Sequence, residues 1–515
     1  MKKILCVLLS LLMAAGSFCA VYETNVTPVY AGTYKSTNKK LSVKTTDMKR
    51  PTMLKKGQAF TLKGKLTVNR AIKQIKITVY DRNQFKNDIS YTKKINAKSI
   101  NLKNYASKIH FEKLPSGEKE LKITLTDGNS DKAVIKRNFT VLGKAKDPAH
   151  ITAKCKIKVS KGNAKNVTDS SDDTSWDSGN MTITLPKGKK PDGIFIKWHY
   201  QTKNSYTLKT YDKNGKTLDV YDSDKLTDML HKYYEINENT VKAVIRLKKN
   251  PQSKGKGICA LRVYEKGKVG ISVERWEAPK TGECDLMVVS AHRDDELLFF
   301  GGTIPYYTNV KKKNVYTVYM SGNDRLRVRE AMAGQWSMGV KTHPIFMGFA
   351  GGYHDGIKGT VKDWGGEDYV LGKLVEKIRR YKPDVIVTHD VNGEYGHPTH
   401  KTTPYLVKKA IKLAGDKTKY KTSYKKYGTW KIKKLYLHVY SKNKVTMNWN
   451  KRDASMNNKT AFELACVGYD KHYSQHNGWS MTSKKVKKYP NNKFGLYYTR
   501  VGKDKNKNDF FENID

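Results

Sequence analysis

The feature that most constrains the fold is an alternation in the C-terminal half of the chain. Short apolar runs, "CDLMVVS" (284–290), "NVYTVYMS" (314–321), "PIFMGF" (344–349), "DVIVTHD" (384–390) and "KLYLHVYS" (434–441), are separated by stretches with helical spacing. "YVLGKLVEKIRRY" (369–381), for example, repeats apolar residues every three or four positions, which makes one face of a helix. Parallel strands need helical crossovers and are buried on both faces, so they read as near-continuous apolar runs. The pattern predicts a three-layer, Rossmann-like α/β domain with a mostly parallel sheet over residues 283–515.

Two β-rich regions precede it. "AFTLKGKLTV", "IKQIKITVYD", "KELKITLTD" and "AVIKRNFTVLG", divided by turn signals such as "TDGNSD", predict an immunoglobulin-like β-sandwich over 36–146. Residues 150–268, with "MTITLP", "GIFIKWHY", "AVIRLKK" and "ICALRVYE", predict a second sandwich. Thr168, Asp169, Asp173, Thr174, Trp176, Trp198, Arg262 and Tyr264 make that region resemble the discoidin, or galactose-binding-like, jelly roll of carbohydrate-binding modules. The resemblance makes the acidic loop 169–173 a candidate structural calcium (Ca2+) site, with an Asx-rich turn as the alternative.

Lys+Arg number 98 against 48 Asp+Glu, a formal charge of +50 that attracts polyanions. No RNA-recognition signature or Cys/His finger spacing accompanies it, so a specific nucleic-acid partner is not expected; an anionic cell-wall polymer is the other candidate. The N-terminus, "MKK" followed by "ILCVLLSLLMAAG", reads as a signal peptide within residues 1–31, cleaved between 17 and 31. That run is short for a bilayer span and no second one follows, so a secreted or envelope-associated protein without a transmembrane segment is expected. Of six cysteines, Cys6 and Cys19 lie in or beside the signal, and no CxxC occurs. A Cys155–Cys259 bridge is one of three pairings open to the remainder, and free buried thiols are the alternative.

The chemistry-bearing residues fall where strands end. In a parallel α/β sheet, reactive groups collect at the carboxyl edge. "AHRDDE" follows the first strand and "THDVNGEYGHPTH" (388–400) a later one. The first offers His292, Asp294 and Asp295, the second His397 and His400. Catalytic zinc takes three N/O ligands and keeps one position open, and a neighbouring carboxylate can serve as base. The "HRD" triplet is not a kinase loop, because the Asn a kinase needs five residues after the Asp is Phe299 here.

Together, "AHRDDE" and "NGEYGHPTH" resemble the LmbE/PIG-L family of zinc-dependent de-N-acetylases, as do "RLRVREAMAGQWSMGV", "GGYHDG" and "KTAFELACVGYDKHYSQ". The resemblance covers about residues 283–480 and implies removal of acetyl groups from N-acetylglucosamine-type sugars. It implies His292, Asp295 and His400 as ligands of Zn2+ or another divalent metal, and Asp294 as general base. It makes His397, helped by Tyr395, the stabiliser of the tetrahedral intermediate, and sets Arg327 and Asp355 on the sugar hydroxyls. Glu296 would orient the motif. Two departures stand out: the usual Pro is Arg293, free to greet an anionic substrate, and the usual Asp before the last His is Thr399. An exported deacetylase of an amino-sugar polysaccharide or glycoconjugate is the resulting expectation. Its rivals are an amidase of the same family cutting a larger acyl group and a non-catalytic carbohydrate-binding surface protein.

Overall fold

The structure, a computed structural model, describes residues 33–34, 41–49, 51, 53–55, 57–81, 86–115, 117–142, 150–169, 174–199, 206–222, 229–247, 257–270, 273–322, 324–476 and 479–514. The expected signal peptide, residues 1–31, and most of the acidic loop 169–173 lie outside the described residues. The chain divides into two compact units, Met1–Gly143 and Lys144–Asp515.

The first unit is β, as its sequence predicts, but seven strands join in one hydrogen-bonded sheet. The long strand Lys63–Asp81 is the reason: it pairs with Val43–Lys49, Lys86–Asn101 and Gly117–Asp127 in turn. Shifts of register between Thr67 and Ile72 mark where it changes partners. Ile72, Ile75, Ile77 and Val79 are fully buried in its core.

The second unit begins with a two-layer β-sandwich. One sheet has the order His231–Glu235, Pro191–Trp198, Ile258–Glu265, and the other runs from Thr217–Asp222 through Tyr206–Tyr211, Lys242–Leu247 and Gly179–Thr184 to Lys156–Val159. Trp176, Trp198, Ile194, Ile245 and Leu261 fill the space between them. Cys155 and Cys259 are not bridged, and Cys284 and Cys466 are thiols as well. The Cys155 thiol meets the Ile151 carbonyl at 3.5 Å, whereas Cys259 lies within the field of Lys197 and Arg325.

The α/β domain follows. Its strands are β1 (Leu286–Ser290), β2 (Val315–Ser321), β3 (Ile345–Phe349), β4 (Val385–Thr388), β5 (Lys434–His438), β6 (Lys444–Thr446) and β7 (Lys493–Thr499). The sheet order is β3-β2-β1-β4-β5-β7-β6. The first five strands are parallel, and β7 runs antiparallel to β5 and β6. One face packs on Leu297, Phe299, Phe300 and Met332, the other on Leu374, Ile378, Leu406 and Val407. These are the three expected layers, and the segment Lys493–Thr499 supplies β7. The residues beyond β7 are anchored by Lys434, fully buried and bonded to Asp504 and to the Glu512 carbonyl. The sandwich is joined to this domain through the Leu230 N–H, which His343 Nε2 accepts at 3.0 Å, and through Trp276, whose ring meets Trp336.

Strand order reverses at β1, which lies between β2 and β4. In open α/β sheets the crevice at such a switch point receives ligands. Both charged motifs emerge there, one after β1 and one after β4.

Candidate active site

The turn after β1 is pinned before it carries any chemistry. Ser290 Oγ donates to the His292 carbonyl at 2.8 Å, and Ser321 Oγ donates to the Ala291 carbonyl at 2.9 Å. Asp294 then adopts φ of 114°, a left-handed conformation costly for a residue with a Cβ. Glu296 compensates: its Oε2 accepts the Asp294 N–H at 2.9 Å, and its Oε1 accepts the Tyr319 hydroxyl at 2.5 Å. Burial raises the Glu296 carboxyl to about 7. The strained turn gives two adjacent carboxylates different partners.

Asp295 faces the histidines. Its Oδ2 lies 2.9 Å from His292 Nδ1 and 3.0 Å from His400 Nε2, and those two nitrogens are 3.1 Å apart. Helix α1 (Pro398–Ala414) brings His400 in on its first turn, with Pro398 at a position where a missing N–H costs nothing. His400 Nδ1 donates to Glu394 Oε2 at 2.7 Å, so the lone pair on Nε2 is the one aimed at Asp295 and His292. With His292 Nδ1 unprotonated, the three atoms all present lone pairs to one small space, where a proton or a cation is held between them. Ligand atoms about 2.0–2.1 Å from a tetrahedral zinc lie about 3.3 Å from one another, close to this triangle. The donor set therefore fits a divalent metal. Without one, Asp295 and Glu394 outweigh burial and lift His400 to about 10, while burial holds His292 down to about 4.

His389 and His397 also have ring nitrogens near this cluster. His389 is committed elsewhere: its Nε2 accepts the Ala291 N–H at 2.8 Å and its Nδ1 donates to Glu394 at 3.0 Å. His397 caps α1, its Nδ1 accepting the Thr399 N–H at 3.2 Å, which leaves a proton on Nε2. Burial, with His292 and His400 beside it, holds His397 down to about 3, so the ring is neutral.

Asp294 is held by Arg327. Its Oδ1 accepts from Arg327 Nη2 at 2.8 Å, and the same guanidinium donates to the Arg293 carbonyl at 2.7 Å. Burial raises Asp294 well above the usual carboxylate range; Arg327 opposes this, and Asp295 and Glu296 add to it. Arg327 rises from helix α2 (Arg325–Ser337), whose cap is the Asp324 carboxylate. Tyr395 is 42% exposed beside the histidines, its ring 5.0 Å from that of His400. Asp355 is exposed at the head of helix α3 (Gly356–Asp363), two residues beyond Tyr353, whose ring lies 5.2 Å from that of His397.

Arg293 does not greet a substrate. It is 2% exposed, and its Nη1 donates to the Gly322 carbonyl just past β2. The turn at 294 directs its side chain inward, under the sheet edge. Thr399 is fully buried and supplies a backbone N–H to His397 in place of a carboxylate.

The residue that motif reading passed over is Glu394. Its carboxylate is buried and accepts from three rings, His400 at 2.7 Å, His438 at 2.9 Å and His389 at 3.0 Å, and from the Asp390 N–H at 3.2 Å. These neighbours overcome the effect of burial and hold it well below the usual range, as an anion. Its place within "NGEYGHPTH" was visible; that His389, just past β4, and His438, at the end of β5, close around it was not.

Residues 287–411 match the PIG-L family, described as GlcNAc-PI de-N-acetylase. The 1D-myo-inositol 2-acetamido-2-deoxy-alpha-D-glucopyranoside deacetylase of Mycobacterium leprae (strain Br4923) is 30% identical over 185 residues, 30% of this chain and 60% of that protein. The enzyme of the same name from Salinispora arenicola (strain CNS-205) is 32% identical over 157 residues, 25% of this chain and 51% of that protein. The chain spans 51% to 60% of the length of these relatives. Among solved structures, N,N'-diacetylchitobiose deacetylase from Pyrococcus horikoshii aligns with 36% of this chain and 70% of its own, at 15% identity and a TM-score of 0.28. A CBM32 module produced by Clostridium perfringens, in complex with GlcNAc-alpha-1,4-galactose, aligns with 23% of this chain and 95% of its own, at 15% identity and a TM-score of 0.20. The family match and the curated relatives support the PIG-L/LmbE de-N-acetylase family for the α/β domain.

Proposed function

We propose that the protein is an exported, zinc-dependent hydrolase that removes acetyl groups from N-acetylated amino sugars of a glycan. The observation that carries this reading is the triangle of His292 Nδ1, Asp295 Oδ2 and His400 Nε2, with the Asp294 carboxylate held by Arg327 beside it on the same strained turn. Zinc held by those three side chains would supply Lewis acidity toward the acetamide carbonyl and lower the pKa of a water. Asp294 takes the proton from the attacking water. A buried carboxylate raised above its usual range accepts that proton more readily and can return it to the departing amine nitrogen. Arg327 keeps Asp294 in register through its 2.8 Å bond. The neutral His397 offers its Nε2–H to the developing oxyanion, and the Tyr395 hydroxyl stands alongside. Water is consumed, the C–N bond breaks, and acetate and a free sugar amine are the products. Arg327, on its exposed side, and Asp355 contact the sugar hydroxyls.

The signal-like N-terminus supports export, and the charge of +50 supports association with an anionic envelope polymer. The test is Asp294→Asn. The variant should bind zinc as the wild type does and lose acetate release from N-acetylglucosamine oligomers by about a hundredfold or more. Wild-type turnover in Asp294→Asn would remove the base from the mechanism.

A further inference from the structure

We infer that the mouth of the site carries an aromatic strip that stacks successive pyranose rings, so that the substrate is a polymer, with Tyr353 and Trp479 as its sugar-binding ends. This rests on the deacetylase reading and names the class of glycan. The rings contact in series: Tyr353 with His397 at 5.2 Å, His397 with Tyr395 at 5.6 Å, and Tyr395 with Trp479 at 5.3 Å. The two rings assigned to the reaction thus lie between two that the reaction does not use. Tyr353 is the most open of the exposed large hydrophobic residues described, at 79%. A single exposed aromatic is ordinary; one standing edge-on to a catalytic histidine, and linked through it to Tyr395 and the half-buried Trp479, makes a binding surface. The C–H faces of a pyranose are apolar while its edge is polar, and aromatic rings accept that face while leaving the hydroxyls in water.

Local structure holds Tyr353 outward. Gly352, at φ of 115°, makes a turn that a side chain would strain. The preceding Gly351 lies against Gly322: a Cβ added there would make ordinary contact, 3.4 Å from the Gly322 Cα. Gly322 in turn donates to the Phe349 carbonyl at 2.7 Å and receives Arg293 on its own carbonyl. Arg293, in place of the family's Pro, therefore braces the loop that presents Tyr353. A site for a lone sugar on a small headgroup has no use for rings on both sides of the acetamide, whereas a linear glycan occupies them.

The experiment measures kcat/KM for acetate release from β-1,4- and β-1,6-linked N-acetylglucosamine oligomers, dimer to hexamer, with full-length wild type, Tyr353→Ala, Tyr353→Phe and Trp479→Ala. The wild type should prefer the hexamer. Tyr353→Ala and Trp479→Ala should each lower the hexamer-to-dimer ratio about five- to tenfold, and Tyr353→Phe, which keeps the ring, should retain it. Equal kcat/KM for dimer and hexamer in the wild type, or equal losses on both in the Ala variants, overturns the strip while leaving deacetylation intact. Absence of acetate from every oligomer overturns the deacetylase reading and the strip with it.

Discussion

Glu394→Gln is the sharpest probe of the site, because it changes one oxygen into an NH2 with almost no change in volume. In the wild type the carboxylate accepts ring N–H groups of His400, His438 and His389 at 2.7, 2.9 and 3.0 Å. An amide has one accepting end. Its NH2 end must confront at least one ring N–H, and that ring relieves the clash by moving its proton to the other nitrogen. His389 resists, since its Nε2 accepts the Ala291 N–H at 2.8 Å, and His438 Nε2 faces the Pro490 carbonyl at 3.3 Å, where a proton is welcome. If His400 shifts, its proton lands on Nε2, between Asp295 and His292, where the metal would sit. Loss of such a supporting carboxylate costs about 10–100-fold in metal affinity, about 1.4–2.7 kcal/mol. An unsatisfied buried donor adds about 1–3 kcal/mol to the loss of stability. Zinc affinity measured against a chromophoric chelator, with urea unfolding of the metal-free protein in parallel, separates the two effects. A folded Glu394→Gln protein with wild-type zinc affinity would refute the claim that this carboxylate sets the His400 tautomer.

Two further predictions concern the fold around the site. Burial, with His231 nearby, holds His343 down to about 3 from its ordinary 6.5, while its Nε2 accepts the Leu230 N–H. The unfolded chain takes up a proton there below about 6.5 that the folded chain refuses. Stability is therefore complete above that value and falls with acidification toward pH 3, by about 2 kcal/mol between pH 7 and pH 5. His343→Gln, which can still accept from Leu230, should flatten that part of the urea-midpoint profile, and parallel profiles would rule it out. Gly322→Ala sets a Cβ 1.9 Å from Arg293 Nη2 at φ of 90°. It should lower stability by roughly 1–2 kcal/mol from the backbone alone and more if Arg293 cannot move, as read by thermal unfolding.

Much of the α/β domain was legible because its information is local. Leu286–Ser290 and Val385–Thr388 are buried at every position, so apolarity runs unbroken and announces central parallel strands. The residues that follow such strands gather at the carboxyl edge, so the two motifs could be paired before any coordinate was known. The N-terminal region was legible only as β, since the alternation that marks Lys63–Asp81 as a strand does not say that it pairs with three others. A cysteine pairing was less legible still: spacing along the chain carries no direction for a thiol, and Cys155 and Cys259 face different surroundings.

By itself the sequence determined the class of fold and the edge of the sheet where charged motifs collect, and it offered His292, Asp294, Asp295, His397 and His400 as candidates, because periodicity encodes burial and residue type encodes ligand chemistry. Tertiary structure alone decided which atoms meet. His292 and His400 are 108 residues apart in the chain, yet their nitrogens lie 3.1 Å apart. Which lone pair each presents depends on Glu394, a residue whose partners come from two strands and a helix. The inward course of Arg293 belongs to the same category, because a buried cation goes where a carbonyl can receive it, and the position of the Gly322 carbonyl is a property of the folded sheet.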